Sequence, residues 1–444
     1  MKVVIVGASF AGITAALAVR EQHQAAEIFL LEKQSGIGYL SGGLHLYFQQ
    51  AIDQLSQATF VTEEQLLAKN IQLFLQHTVV AFDPVQQVVT YKNQGQTGVI
   101  SYDKLILASG SNQWSQKIQG SQSPKVVKYK YQKDALAAMQ QLQQSHSIAI
   151  IGGGQIGAEA LNDLLALNKK AHLFESLPYL LAKYFDEEMM VPVQKSLSAA
   201  GVMFHFNETV ESVTEREQQL IVSTSKDQIL VDCGLFALNI RPSLEYVADT
   251  VKRRRDQTIW VDQYLQTSAA NVFAIGDCID MRHSQFTQQR YLPLVNNAVR
   301  SGLVAACNLV RPTVAFSGSL RTIGTKLLDY YVASTGMTAA EGCFYSGEIA
   351  VTSVEQVVSP FTGNETIKGK LICDQATGQV LGAQLVSKVN CLEKINTLAL
   401  SIQTGQTIAE LMQNDYFYQP SFANVLELGN QLGAQAFWRT VHED

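Results

Sequence analysis

The sequence predicts an α/β fold with two Rossmann-like nucleotide-binding domains, and two stretches carry the prediction. Residues 3–32 and 147–175 each read as an apolar strand, a glycine-bearing turn, a helix and a second apolar strand ending on an acid. At 444 residues the chain exceeds one ordinary core, and a domain size of about 100–200 residues implies two to four domains. With 47% apolar residues, large cores are available to it.

The first unit begins with the strand VVIV, turns through GASFAG, continues as a helix to about Glu21 and returns as the strand EIFLLE, which ends at Glu32. Gly7 supplies the tight turn, and Gly12 lets helix and strand pack closely. The helix N-terminus offers unpaired N–H groups to a pyrophosphate. Ser9 stands where a middle glycine is usual, and it is small enough to admit a phosphate. Glu32 lies 25 positions after Gly7, where an acid accepts hydrogen bonds from an adenosine ribose.

The second unit, SIAIIGGGQIGAEALNDLLALNKKAHLFES, carries all three glycines as Gly152-x-Gly154-x-x-Gly157, and Glu175 follows Gly152 by 23 residues. An acid at that strand end bonds a free ribose 2′-hydroxyl and repels a 2′-phosphate, which favours NADH over NADPH. Lys169 and Lys170 come earlier, on the helix-to-strand turn, and no Arg directly follows Glu175. The purely structural alternative, two tight turns of an α/β domain, leaves the paired acids unexplained.

The formal charge of −6, without clustered Lys and Arg, argues against a nucleic-acid partner. The six cysteines, from Cys233 to Cys391, are scattered, with no C-x-x-C and no His at metal-ligand spacing. That usage predicts a reducing cytoplasm and no metal. The N-terminal MKVVIVGASFAGITAALAV imitates a signal peptide, but Gly7 and Gly12 interrupt it at the turn positions. No other segment offers the roughly 18 uninterrupted apolar residues of a membrane span, so a soluble protein is expected.

Four further segments complete the pattern: YDKLILASGS (Tyr102–Ser111), TSAANVFAIGDCID (Thr267–Asp280), YLPLVNNAVRSGLVAACNL (Tyr291–Leu309) and GKLICDQATGQVLGAQLVS (Gly369–Ser387). The last suits a hairpin on its own terms, with a turn from Asp374 to Gly378 between apolar runs. Together they resemble the pyridine nucleotide-disulfide oxidoreductases over essentially the whole chain. Within that superfamily YDKLILASGS, GGGQIGAE and DYYVASTGMT resemble the branch of NADH oxidase, NADH peroxidase and coenzyme A-disulfide reductase.

The resemblance implies FAD on Gly7, Ser9, Gly12, Glu32, Ser109, Gly110 and Asp277, with Asp277 holding the ribityl chain. It implies NADH on Gly152, Gly154, Ile156, Gly157 and Glu175, with Glu159 near the nicotinamide. It also implies a split FAD domain (1–113 and 246–318) with the NADH domain (114–245) inserted in it, and a C-terminal α+β dimerisation domain (319–444) that makes the protein a homodimer.

One stretch departs from that pattern. In the resembling branch the segment GYLSGGLHLYF, Gly38–Phe48, reads Ser-Cys-Gly at its centre, and the cysteine beside the flavin cycles between thiol and sulfenic acid or a mixed disulfide. Here Gly42 takes the cysteine's place, and Phe10 replaces the usual His of the first turn; no thiol precedes Cys233. A bland reading makes Gly42 a turn glycine with Phe10 packed over it. His45, one helical turn on, is a candidate proton donor set against a packing role, and Ser41 a candidate helix N-cap. Cys278 adjoins Asp277 and is expected to point elsewhere.

Asn239 replaces a glycine before Ile240-Arg241-Pro242 on the expected nicotinamide side. Tyr416 and Tyr418, within DYFYQPSF, resemble the segment a partner subunit extends toward the flavin, and Tyr418 is a second candidate proton donor. The expected function is an FAD enzyme passing electrons from NADH to a small acceptor without a redox cysteine, oxygen then stopping at hydrogen peroxide. The alternatives are a quinone or redox-protein reductase and, in another class, a catalytically retired FAD-binding sensor or partner-binding dimer.

Overall fold

The structure, a computed structural model, describes residues 1–442 except 114–117, 239, 248, 284, 287–288, 359–364 and 421–422. From the N-terminus the chain forms β1 (Lys2–Val6), α1 (Phe10–Gln22), β2 (Glu27–Glu32) and the short α2 (Gly43–Phe48). The second unit forms β3 (Ser147–Ile151), α3 (Gln155–Ala166) and β4 (Lys170–Glu175), and α4 (Val295–Asn308) follows much later.

β1 lies at the centre of a five-stranded parallel sheet ordered Val272–Ala274, Lys104–Leu107, β1, β2, Ile71–Leu75. Both faces of this sheet are covered, which is why VVIV reads as a continuous apolar run rather than an alternation. Val3, Val4 and Ile5 are fully buried, each contributing about 1.5–3 kcal/mol. α1 buries Ala11, Gly12, Ile13, Ala15, Ala16 and Val19, small residues for the most part, and α4 packs so closely that a Cβ on Gly302 would lie 2.7 Å from the Ala11 carbonyl oxygen.

The second unit repeats the plan in a parallel sheet ordered Met203–Phe206, β4, β3, Cys233–Phe236, Val126–Val127. The two connections between the sheets run side by side, because Ser111–Gln113 pairs antiparallel with Ile240–Pro242.

The C-terminal region is a five-stranded antiparallel sheet, Ile323–Leu327, Tyr330–Gly336, Val380–Ser387, Thr366–Asp374 and Ile349–Val357 in that order, packed with helices Lys394–Thr404 and Leu428–His442. The predicted hairpin is its centre: Thr366–Asp374 and Val380–Ser387 pair antiparallel, and Gly378 in the turn has φ +71°.

Polar contacts at Asn162 and at Asp186 fasten the second unit to this sheet. Asn162 donates to the Lys326 carbonyl oxygen and accepts from the Leu328 amide at 2.8 Å. Asp186 accepts from the amides of Ala339 and Ala340 at 3.0 Å and pairs with Lys370 at 2.7 Å; both side chains of the pair are buried, and Lys370 also pairs with Glu188. No helix among the described residues is long and apolar enough to cross a membrane.

Candidate active site

The first glycine turn is built as its sequence requires. Gly7 has φ +108°, and a Cβ there would meet the Ala108 carbonyl oxygen at 2.3 Å; a Cβ on Gly12 would meet the Gly7 carbonyl oxygen at 1.9 Å. Only glycine lets the helix sit this close to the turn. Ser9 is the N-cap of α1, is exposed, and makes no side-chain cap bond, so its hydroxyl does not occupy the first-turn amides.

Glu32 spans the turn, accepting from the Ala8 amide through Oε2 and from the Gln34 amide through Oε1, each at 2.8 Å. Gly7, Glu32, His77, Ser109 and Tyr246 line a cavity of about 300 Å³ over this turn. An acid at the rim of a cleft that only glycine keeps open fits the adenosine half of FAD.

Ser109 lines the same cavity, and Ser111, two residues on, reaches Asp277. Ser109 donates to the Ser243 carbonyl oxygen at 2.7 Å and accepts from the Tyr246 hydroxyl at 3.0 Å, and Gly110 beside it has φ +68°. Asp277 stands on the short turn Gly276–Cys278, accepts from the Ser111 hydroxyl at 2.5 Å, and has the Lys130 ammonium 3.6 Å away. Lys130 donates to Ser111 as well, and burial pulls its pKa down, an effect that Asp277 opposes. Sequence reasoning missed Lys130: it lies 147 positions from its counter-ion (277 − 130), in a KYK run with no motif of its own.

The second turn matches the first. Gly152 has φ +114°, a Cβ on Gly157 would lie 1.9 Å from the Gly152 carbonyl oxygen, and a Cβ on Gly154 would meet nothing within 4 Å, which leaves open space for a phosphate. Glu175 accepts from the Gly153 amide at 2.8 Å and from the Leu177 amide at 2.9 Å. On α3, Glu159 accepts from Gln155 at 3.1 Å, and the Ile156 carbonyl oxygen accepts from the Tyr129 hydroxyl at 3.4 Å. These residues line one edge of the sheet and suit a second dinucleotide.

α2 packs against α3 of the second unit. Its N-cap is Gly42 and not Ser41. Gly42 has φ −88° and ψ 10°, a conformation open to any residue, and a Cβ there would meet nothing within 4 Å. Gly42 stands in the turn that opens α2, as the bland reading has it, but neither the backbone nor the packing demands glycine at this position. Phe10 does not pack over it: its ring stacks on Phe60, with centroids 4.8 Å apart, because the side chain leaves the start of α1 toward that ring. The next residue behaves differently, since a Cβ on Gly43 would come within 2.5 Å of the Ala58 Cβ.

His45 turns toward the second unit, its Nδ1 2.7 Å from Asp163 Oδ1 on α3. The carboxylate's hydrogen bond and charge raise the His45 pKa, and burial opposes them. Cys278 is fully buried 3.4 Å from the Ser109 hydroxyl, and burial pushes its thiol up to about 11. Tyr418 is exposed on the C-terminal region, whereas the Tyr416 hydroxyl accepts from Asn414 at 3.3 Å. Asn239, Ser421 and Phe422 lie outside the described residues.

Comparison with known proteins agrees with this geometry. Residues 1–302 match the family described as pyridine nucleotide-disulphide oxidoreductase, and residues 323–428 match its dimerisation domain. The NADH oxidase of Enterococcus faecalis is 28% identical over 428 residues, which is 95% of this chain and 96% of that one. The NAD(P)H sulfur oxidoreductase (CoA-dependent) of Pyrococcus furiosus is 25% identical over 96% of each chain.

Among solved structures, a pyridine nucleotide-disulfide family oxidoreductase from E. faecalis shares 50% identity and a TM-score of 0.91 over the whole of both chains. The water-forming NADH oxidase of Lactobacillus brevis, bound to NADH, has a TM-score of 0.95 at 29% identity, covering 100% of this chain and 99% of that one. With two dinucleotide cradles and a dimerisation region in one chain, the protein belongs to the pyridine nucleotide-disulphide oxidoreductase family and is an oxidoreductase whose cofactors are FAD and NADH.

Proposed function

We propose that the protein carries electrons from NADH through FAD to a small acceptor with no cysteine in the relay, and that oxygen as acceptor yields hydrogen peroxide. The observation that carries this reading is the open space over Gly42, where a Cβ meets nothing within 4 Å. FAD, when bound, supplies a two-electron acceptor for NADH and a donor to the next acceptor.

The protein's own residues hold and position. Glu32 and the Gly7 turn take the adenosine half of FAD, Asp277 with Ser111 and Lys130 takes the ribityl side, and Gly152, Gly154, Gly157 and Glu175 take NADH. Cys278 offers no replacement thiolate, since burial keeps it protonated at neutral pH. Carrying oxygen on to water calls for a second redox group beside the flavin, and Gly42 leaves none there.

We take the protein to be a cytoplasmic homodimer. The exposed Phe417, Tyr418, Val425, Leu426 and Trp438 of the C-terminal region supply an apolar face for the partner subunit. The domain limits 1–113, 114–245, 246–318 and 319–444 form part of the same reading, and the pairing of Ser111–Gln113 with Ile240–Pro242 supports the first two boundaries.

Anaerobic NADH added to the yellow protein should bleach it. Oxygen admitted afterwards should appear as hydrogen peroxide in nearly one-to-one yield, with turnover largely intact after thiol reagents. Water as the main product would overturn the reading. An unchanged spectrum on NADH addition would make the protein a retired FAD-binding module, and bleaching with no reaction toward oxygen would favour a quinone or redox-protein reductase.

A further inference from the structure

We infer that His45 and Asp163 form a latch across the domain boundary, a pair of positioning residues that holds α3, which carries the NADH turn, against α2, which carries the empty position beside the flavin. It rests on the NADH-to-FAD reading proposed above.

Asp163 is an unusual residue to find in this contact. Its side chain is only 9% exposed, and among the described residues it is bonded by His45 Nδ1 of α2 at 2.7 Å and by Nε2 of Gln49, the residue that caps α2, at 3.4 Å, on the same oxygen. His45 and the C-cap Gln49 are four residues apart and lie on one side of α2, just as Glu159 and Asp163 share one face of α3. The neighbours of the pair, Leu44, Phe48, Leu161 and Leu164, belong to one apolar core that runs across the same boundary.

Two leucines in place of the pair would bury as well, since a buried ion pair often adds nothing to stability over an apolar contact of equal volume. What an ion pair adds is a single preferred alignment. Asn162, the preceding residue, ties the other side of α3 to Lys326 and Leu328. α3 is therefore pinned to the C-terminal sheet by one residue and to the flavin domain by the next. The start of the same helix carries Gly154, Gly157 and Glu159, so a tilt of α3 on α2 displaces whatever those residues hold. Reaction between two bound partners is sensitive to displacements of about 1 Å.

The latch responds to protons. The charged groups bearing on His45 are Asp163 and Glu159, both on α3. The helix Gln132–Gln144 and the turn Leu55–Gln57 also pack on α2 but place no ion beside it among the described residues. The Tyr129 hydroxyl, facing Asp163 and Glu159, is held protonated by burial. Burial raises Asp163 as well, against the pull of His45. With the His45 pKa raised in the folded protein, the ion pair is complete below the ordinary histidine pKa and is lost as pH rises through the raised value.

The test compares the FAD-loaded wild type with His45→Gln, which keeps a donor but removes the charge, and with His45→Gln combined with Asp163→Asn. Hydrogen exchange of the segments covering α2 and α3, the dissociation constant for NADH, and the rate of anaerobic flavin reduction by NADH are measured from pH 6 to pH 9. The wild type should lose α3 protection and reduction rate together as pH rises. His45→Gln should start about tenfold slower and show a flat pH profile, with FAD content unchanged. Adding Asp163→Asn should cost little more, because the two side chains act as a unit.

An unaltered pH profile in His45→Gln, or α3 protection equal to wild type, would overturn the latch. Failure of NADH to reduce even the wild-type flavin would instead overturn the functional reading, and hydrogen exchange alone would then decide the latch.

Discussion

Glu175 accepts the backbone amide of Gly153 at 2.8 Å, so the acid that ends β4 is fastened to the turn that ends β3. Its place at the second glycine turn is set by the protein before any ligand arrives. Steady-state reduction should accordingly prefer NADH over NADPH. Glu175→Ala removes a charge-assisted hydrogen bond of about 1.5–3 kcal/mol together with the repulsion of a 2′-phosphate, and should narrow the preference by at least about tenfold. The ratio of kcat/KM for the two nucleotides checks it, and equal use of both by the unaltered protein would count against the assignment.

Gly42→Cys should be tolerated, with stability changed by less than about 0.5 kcal/mol, because its φ of −88° suits any residue and its Cβ enters open space. Treated with a reductant, that variant should show a charge-transfer absorbance from thiolate to oxidised flavin. Adding Phe10→His should move some product from peroxide to water, since a polar neighbour lowers the thiol pKa and supplies protons. Gly43→Ala is the contrasting case: its Cβ would come within 2.5 Å of Ala58, and overpacking of that kind costs about 1–3 kcal/mol. Thermal melts of the two variants separate the outcomes.

Lys370 and Asp186 bind the second unit to the C-terminal sheet, with side chains 4% and 6% exposed. Lys370→Met strands a buried carboxylate and should cost about 3–5 kcal/mol. Burial pushes Asp186 up, but the Lys370 bond and the amides of Ala340 and Ala339 outweigh it and hold the carboxyl below its ordinary value. Because the folded pKa is depressed, the stabilisation is present above the unfolded aspartate pKa of about 3.9 and disappears as pH falls through the folded value. Melting temperatures from pH 6 down to pH 3 should fall more steeply for the wild type than for Asp186→Asn, and parallel curves would contradict this.

Features with a local cause were legible in the sequence. Gly7, Gly12, Gly152 and Gly157 stand where a Cβ would strike backbone, and a steric demand of that kind marks a chain at fixed spacing. Glu32 and Glu175 followed from the ends of apolar runs, and the C-terminal hairpin from its turn residues. Contacts made between distant segments were not legible. Asp163 sits in a helical pattern where an acid ordinarily faces solvent, and the structure buries it against His45 of α2. Lys130 reaches Asp277 from the second unit, between its strand Val126–Val127 and the helix Gln132–Gln144. Ser41 failed as a cap because the chain enters α2 one residue later, at Gly42.

The ribbon formed by Ser111–Gln113 and Ile240–Pro242 also bears on the order in which the protein is made. The first sheet receives its last strand, Val272–Ala274, and α1 receives its covering helix α4, only after everything between the two connections has left the ribosome. All strands of the inner sheet precede Val272 in the chain, so during synthesis they are complete while the outer sheet still lacks an edge strand and α1 its covering helix. As the inner domain closes, its two ends come together at the ribbon, which brings residues 243 onward beside Gly110, at the rim of the waiting sheet. The inserted domain thus delivers the missing edge to its host, and a truncation that stops the chain before Val272 should leave a folded inner domain attached to an outer one that cannot close.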